Sequence, residues 1–523
     1  MTVDPEPVAH ASQHYEASRR DMPHAGADML SEADIPIAIV GAGFSGLCAA
    51  IKLKQAGIRS FTIFERAGEV GGTWRENVYP GAACDVPSHI YSYSFEPSPD
   101  WSWGFGRREE IQAYLRHCAD KYDIRRHIRF NVAIVNMLFD EETGIWSLGD
   151  DKGVTWRVRV VVAGLGPLSV PSFPQLPGMD LFRGEVFHTA KWNSACDLRG
   201  KAVGVIGTGA SAVQVSPAIA PDVKRLQIFQ RTAPWVVPKM DRRISDREKR
   251  LCRRFPVLMH WQRMKQYWLR EAIFAPLVFK SNSVAKRIGE AIVRSHFKRH
   301  IKDRELRSKI TPNYRFGCKR VLTSNDWYQT LARENVELVD RAIVRITERG
   351  VVASDGIEHE LDVIIFATGF HVLTAGAPFE IRGLGGRTLA QDWKTAAQSH
   401  NGVTITGYPN LFLLLGPNSA STHTSLIPAI EAQVDYTIQA IQLLHRRNLK
   451  YVDVKASAQK EFNAALQKRM RNTVWIKGGC TSFYLTDAGE NVALFPGFNW
   501  QYRARLRHFR PQEHHQVAQG DDH

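Results

Sequence analysis

One pattern occurs twice in this chain, and few folds can accommodate it. Gly41-x-Gly43-x-x-Gly46 follows the apolar run Ile35 to Val40, and Gly207-x-Gly209-x-x-Ala212 follows Ala202 to Ile206. Each predicts a strand, a tight turn and a helix. The first glycine permits the turn, the second lets backbone approach a pyrophosphate, and the third position lets helix pack on strand. The helix N-terminus then offers unpaired N–H groups and partial positive charge to phosphates. The two copies differ downstream. Nineteen residues past Gly46, after Phe61 to Phe64, stands Glu65; nineteen past Ala212, after Leu226 to Gln230, stands Arg231. A carboxylate at that offset accepts hydrogen bonds from a free ribose, whereas an arginine, here with Thr232 beside it, suits a 2′-phosphate. The pair predicts the ADP half of FAD at the first site and NADPH at the second.

Strand and helix patterns alternate, which implies an α/β fold with parallel sheets. Helical Arg107 to Tyr122, strand-like Val336 to Val339 and Asp362 to Phe366, and helical 424 to 447 extend the two βαβ units. The 523 residues hold about three domains' worth of chain. The expected architecture is two Rossmann-like dinucleotide-binding domains, the second inserted into the first. Residues 34–165 and 371–510 form the FAD-binding domain, and 166–370 the NADPH-binding domain, with a basic helical insertion at 242–310. Residues 1–33 and 511–523 read as loose polar tails.

The charge is concentrated. Of a net +15, residues 242–310 supply 20 Lys and Arg against 6 Asp and Glu, a net +14. Phe255, Leu258, Trp261, Met264 and Trp268 recur there at helical spacing. Such a stretch suits contact with an anionic membrane. The favoured expectation is instead a helical insertion whose aromatic stripe packs on its own domain. No nucleic-acid reading motif accompanies the charge. The seven cysteines are scattered singly without C-x-x-C, so neither a disulfide framework nor a metal site is expected, and a reducing cytoplasm fits. No basic start with an apolar run marks a signal peptide, and no apolar stretch reaches the ~18 residues of a membrane span.

Three further segments narrow the activity: Gly72-Thr73-Trp74-x4-Tyr79-Pro80-Gly81-x3-Asp85, Phe182-x-Gly184-x3-His188-x3-Trp192, and Phe316-Gly317-Cys318-Lys319-Arg320. Here the chain resembles the type I Baeyer–Villiger monooxygenases, a branch of the class B flavoprotein monooxygenases, over about residues 35 to 500. The resemblance implies an enzyme that consumes NADPH and O2 and inserts one oxygen atom beside a ketone carbonyl, giving an ester or lactone. It implies that Arg320 is the cation that steadies the anion formed when oxygen adds to reduced flavin, that Asp85 holds Arg320, and that Lys319 joins Arg231 and Thr232 around the 2′-phosphate. Leu426 resembles a position near the flavin ring, and Phe483 stands where a tryptophan near NADP is usual. Further candidate cofactor contacts are Thr73, Trp74, Tyr91 and Ile134 on the FAD side and Thr208, Ala210, Ser211 and Gln214 on the NADPH side. His188 and Trp192 read as a hinge element, and Asn193 departs from the family's usual proline or aspartate.

The nearest rival is a flavin-containing monooxygenase that oxidises sulfur or nitrogen, for which Arg320 is less necessary; thioethers therefore stay beside ketones as candidate substrates. A disulfide reductase of the same layout needs a close redox cysteine pair, which the spacing does not offer. A nucleotide-sensing scaffold has no use for Asp85 and Arg320.

Overall fold

The computed structural model describes residues 31–276, 284–371 and 379–519. Residues 1–30 of the expected N-terminal tail, 277–283 of the insertion and 372–378 lie outside these.

The first glycine pattern sits where the sequence places it. Strand β1 (Ser31–Val40), which takes in residues 31–33 of the expected loose tail, leads through Gly41 into helix α1 (Phe44–Gln55), and β2 (Thr62–Glu65) returns parallel to β1. Helix α2 (Arg108–Lys121) and strands β3 (Ile128–Phe130), β4 (Ile134–Asp140), β5 (Ile145–Asp150) and β6 (Thr155–Ala163) follow. The sheet is mixed rather than parallel throughout. β4, β5 and β6 are joined by short turns and pair antiparallel. Parallel neighbours need a long crossover, and these connections are too short to supply one. α1 buries Leu47, Cys48, Ala50, Ile51 and Leu53, and packs on helix α7 (Ile427–Arg446).

The second sheet is wholly parallel. It contains β7 (Glu185–His188), β8 (Ala202–Ile206), β9 (Arg225–Phe229), β12 (Val336–Val339) and β16 (Val363–Phe366), in the order β12-β9-β8-β16-β7. Gly207 leads from β8 into α3 (Ala210–Ile219). Residues between β9 and β16 also form a two-stranded pair, β10 (Val236–Val237) with β11 (Leu322–Thr323), and an antiparallel meander, β13 (Ile343–Ile346), β14 (Gly350–Ala353) and β15 (Glu358–Glu360). The chain then returns to the first sheet, where β17 (Glu380–Arg382) joins β4 and β18 (Leu411–Leu413) joins β6. One nucleotide unit thus interrupts the other.

Three further expectations fail. The end of the chain is not a loose tail: Pro511–Glu513 form a 3₁₀ turn, and β20 (His514–Ala518) pairs antiparallel with β19 (Leu449–Val454). His514 is buried against Phe509, which a polar reading of its surroundings could not show. The cysteines are not all free: Cys318 and Cys480 are joined by a disulfide. Their separation of 162 residues hid the pair from a reading of spacing.

The third concerns the basic insertion, which is helical as expected: α4 (Asp246–Arg254), α5 (Val257–Leu269), a π-helical turn Arg270–Phe274, and α6 (Val284–His300). Its aromatic stripe faces outward. Phe255, Trp261, Met264 and Trp268 are 47–61% exposed. The buried row is Met259, Arg263, Tyr267 and Glu271. Polar partners explain the inversion. Arg263 donates to the carbonyls of His89 and Ser92 (3.1 and 2.7 Å), Tyr267 donates to Asn499 Oδ1 (3.3 Å), and Glu271 accepts from the Asn499 N–H.

Candidate active site

A cleft of about 1810 Å³ runs between the two sheets at the carboxyl ends of β1 and β8, where ligands of such folds gather. Every candidate catalytic or cofactor-binding residue read from the sequence lines it except Gly46. Gly46 lies beneath: a Cβ there would meet the Gly41 carbonyl oxygen at 1.8 Å, so the residue serves helix-on-strand packing. Gly41 needs glycine twice over, with φ +98° and Gly164 O 2.6 Å from any added Cβ.

Glu65, at the end of β2, is nearly fully buried. Its carboxylate accepts from the Ala42 N–H (2.8 Å), the Ala67 N–H (3.0 Å) and Arg75 Nη1 (3.0 Å). These fix its position at the cleft wall. A carboxylate has about four acceptor sites, so capacity for a ribose hydroxyl remains. Thr73 opens the single turn Thr73–Glu76, and Trp74 donates its indole N–H to Tyr91 (3.1 Å). Ile134 begins β4, and Leu426 precedes α7, so both enter the cleft from element ends. The donors, the glycine turn and the apolar walls fit a flavin dinucleotide.

On the opposite side the α3 N-terminus carries Gly209, Ala210 and Ser211. Thr208 donates to the Thr232 carbonyl (3.1 Å), tying the glycine turn to the segment after β9. Arg231 stands there with Lys319 close enough to feel it. Burial first, and then the charge of Arg231, holds the Lys319 ammonium below its usual range. Two neighbouring cations suit a dianion such as a 2′-phosphate. Gln214 lines the cleft and also bridges two segments. It accepts from Tyr79 OH (2.8 Å) and donates to the Ala83 carbonyl (2.9 Å), so it clasps α3 to the loop leading to Asp85.

Between the two nucleotide sites, Nε and one Nη of Arg320 donate to Asp85 Oδ2 at 2.9 and 2.6 Å. Burial alone would push the Asp85 carboxyl up, but the charge and hydrogen bonds of Arg320 hold it below the usual range. Arg320 is driven further toward its charged form, chiefly by Asp85 and against burial. The side chains keep 39% and 23% exposure toward the cleft, so the pair is wetted on one side. Sequence reading missed Lys239 and Arg270. Both are held below their usual range by burial first, and both feel Asp85. No motif marks them, because the contact exists only after folding.

A model of the flavin-binding monooxygenase-like family matches residues 35–379. A Baeyer–Villiger monooxygenase of Pseudomonas aeruginosa is 44% identical over 92% of this chain and 91% of its own length. One from Streptomyces coelicolor is 42% identical over 90% of this chain and 91% of its own. The chain belongs to the flavin-binding monooxygenase-like family. Among solved structures, a cyclohexanone monooxygenase from Rhodococcus sp. Phi1 bound to NADP+ matches with a TM-score of 0.83 and 29% identity, over 93% of this chain and 100% of that one. A steroid monooxygenase bound to NADP gives 0.83 and 30% over the same shares. The chain is an FAD- and NADPH-dependent monooxygenase of the Baeyer–Villiger branch, as the resemblance implied.

Other family segments lie at different depths. His188 ends β7 and is buried away from the cleft, its Nδ1 accepting from the Ala190 N–H (3.0 Å) and its ring beside Phe173 and Phe370. Burial holds it at about 4, so it is neutral. Trp192 packs edge-on against Phe187. Asn193 donates to Glu185 (3.2 Å), keeping the loop anchored without proline. Phe483 lines the cleft yet is 54% exposed, and Tyr484 behind it is buried, its phenol pushed to about 12 by burial. The Cys318–Cys480 disulfide joins the loop carrying Lys319 and Arg320 to the segment carrying Phe483 and Tyr484.

Proposed function

We propose that this monooxygenase inserts oxygen beside the carbonyl of a ketone, and that Arg320, positioned by Asp85, is the group that makes this chemistry possible. When bound, FAD supplies oxygen activation and NADPH the electrons. Arg320 spends two of its five N–H donors on Asp85 and turns its remaining edge toward the cleft. That edge meets the negative charge that develops on the ketone oxygen when the carbonyl is attacked. A fixed cation needs no reorganisation at that moment. Asp85 keeps the guanidinium in place and compensates its charge in the resting state. Glu65 would hold the FAD ribose, and Arg231, Thr232 and Lys319 the NADPH 2′-phosphate.

The observation that carries this reading is the Asp85–Arg320 pair at the junction of the two nucleotide sites. A solved relative holds cyclohexanone and another holds its lactone, ε-caprolactone; a ketone is the corresponding class here. The NADPH requirement suits a cytoplasmic enzyme. Incubation of the FAD-loaded protein with NADPH, oxygen and a panel of ketones and thioethers tests the proposal by mass spectrometry of products. Esters or lactones are expected. A panel that yields only sulfoxides would shift the assignment to heteroatom oxidation.

A further inference from the structure

The helix α5 is built inside out. Its inward row makes hydrogen bonds to the flavin-side scaffold, while Val257, Trp261, Met264, Trp268 and Ile273 stand outward, each at least half exposed. Water gains nothing from such a surface, since burying apolar area is favourable at about 25 cal/mol per Å². Single exposed apolar residues are ordinary; a contiguous row with two tryptophans marks an interaction face.

The charges beside this row identify its partner. Lys265 lies over the Trp261 ring at 5.2 Å and Arg254 over Phe255 at 5.7 Å. Between Lys249 and Phe274 the only acid is Glu271, which is 2% exposed and engaged with His423. Asp100, which lies against the segment, is paired with Arg253. Cations interleaved with tryptophan, with no competing surface acid on the segment, complement negative headgroups above an apolar layer. No described helix is long and apolar enough to cross a membrane, so the contact is one of lying on the surface.

We propose that the outer face of α5 and the turn after it docks flat on the surface of an anionic phospholipid bilayer. Tryptophan rings enter the headgroup boundary while Lys265 and Arg254 reach phosphates from their stems. Because Glu271 of the same turn is bonded to His423, beside the cleft-lining Ser421 and Thr422, a docked chain holds its cleft close to the lipid.

Co-sedimentation of the FAD-loaded full chain with vesicles tests this. Vesicles containing phosphatidylglycerol should pull down the protein at low salt, and pure phosphatidylcholine vesicles should do so far less. The double variant Trp261→Ser with Trp268→Ser should keep its bound flavin and bind anionic vesicles roughly tenfold more weakly or worse, since interfacial binding scales with inserted apolar area. A wild-type chain that stays in solution with anionic vesicles would overturn the proposal. Equal binding by the double variant would too, because general basicity alone would then account for it. So would a wild-type oligomer that the double variant dissociates, since a second copy would then be the occupant of this face.

Discussion

At the scale of single residues, the two sides of the cleft were legible to different degrees. Glu65 and Arg231 stand at a fixed offset from their glycine turns, so local strand and helix lengths determine where they arrive. Asp85 and Arg320 are 235 residues apart, and no spacing rule joins them; only family resemblance named them. Lys239 and Arg270 escaped both routes. We expect Arg320→Ala to lower ester formation by at least about a hundredfold, the scale of losing one preorganised donor to developing charge. The variant should keep FAD, because Gly41 and Glu65 lie elsewhere; flavin absorbance after gel filtration checks that. Near wild-type ester yield would remove Arg320 from the chemistry. Arg231→Ala should reduce the preference for NADPH over NADH roughly tenfold to a hundredfold, from about 1.5–3 kcal/mol for a charge-assisted contact. The ratio of kcat/KM for the two nucleotides measures it.

At the scale of elements, periodicity located helices well but assigned the wrong face to α5. The aromatic stripe suggested a core contact, whereas Arg263, Tyr267 and Glu271 had specific polar partners waiting on distant segments. Apolar patterning cannot register a buried polar row of that kind. The disulfide was hidden for a similar reason, since its cysteines meet only when the 316–320 loop packs on the 478–484 segment. Cys480→Ser is expected to cost about 2–4 kcal/mol, because the bridge closes a long loop in the unfolded chain. A thiol reductant should lower the thermal midpoint of the wild type and leave that of the variant unchanged. His188 gives a pH signature. Its folded value of about 4 lies below the usual 6.5. As pH falls from about 6.5 toward 4, the unfolded chain takes up a proton that the folded chain refuses, so stability is lost across that window and unaffected above it. Thermal midpoints of His188→Phe should therefore fall less steeply with acid than those of the wild type. The slope should persist in part, because His514 is likewise held at about 4 by burial.

At the scale of the molecule, the architecture follows from one glycine-turn unit interrupting another. The first sheet is begun by residues 31–163 and finished by β17 and β18, with the parallel NADPH-side sheet threaded between. This places both nucleotide turns on the same cleft and brings Arg320, from the inserted portion, onto Asp85 of the outer one. Gln214 spans the same junction through Tyr79 and Ala83. The cleft is expected to deliver one atom of molecular oxygen into a ketone. Reaction of the FAD-loaded protein with NADPH, a ketone and ¹⁸O₂, followed by mass spectrometry, tests it directly. An ester or lactone carrying one ¹⁸O atom, formed with ketone-stimulated NADPH consumption, is the expected product. Hydrogen peroxide as the sole oxygen product across a broad ketone panel, or an ester without label, would contradict it.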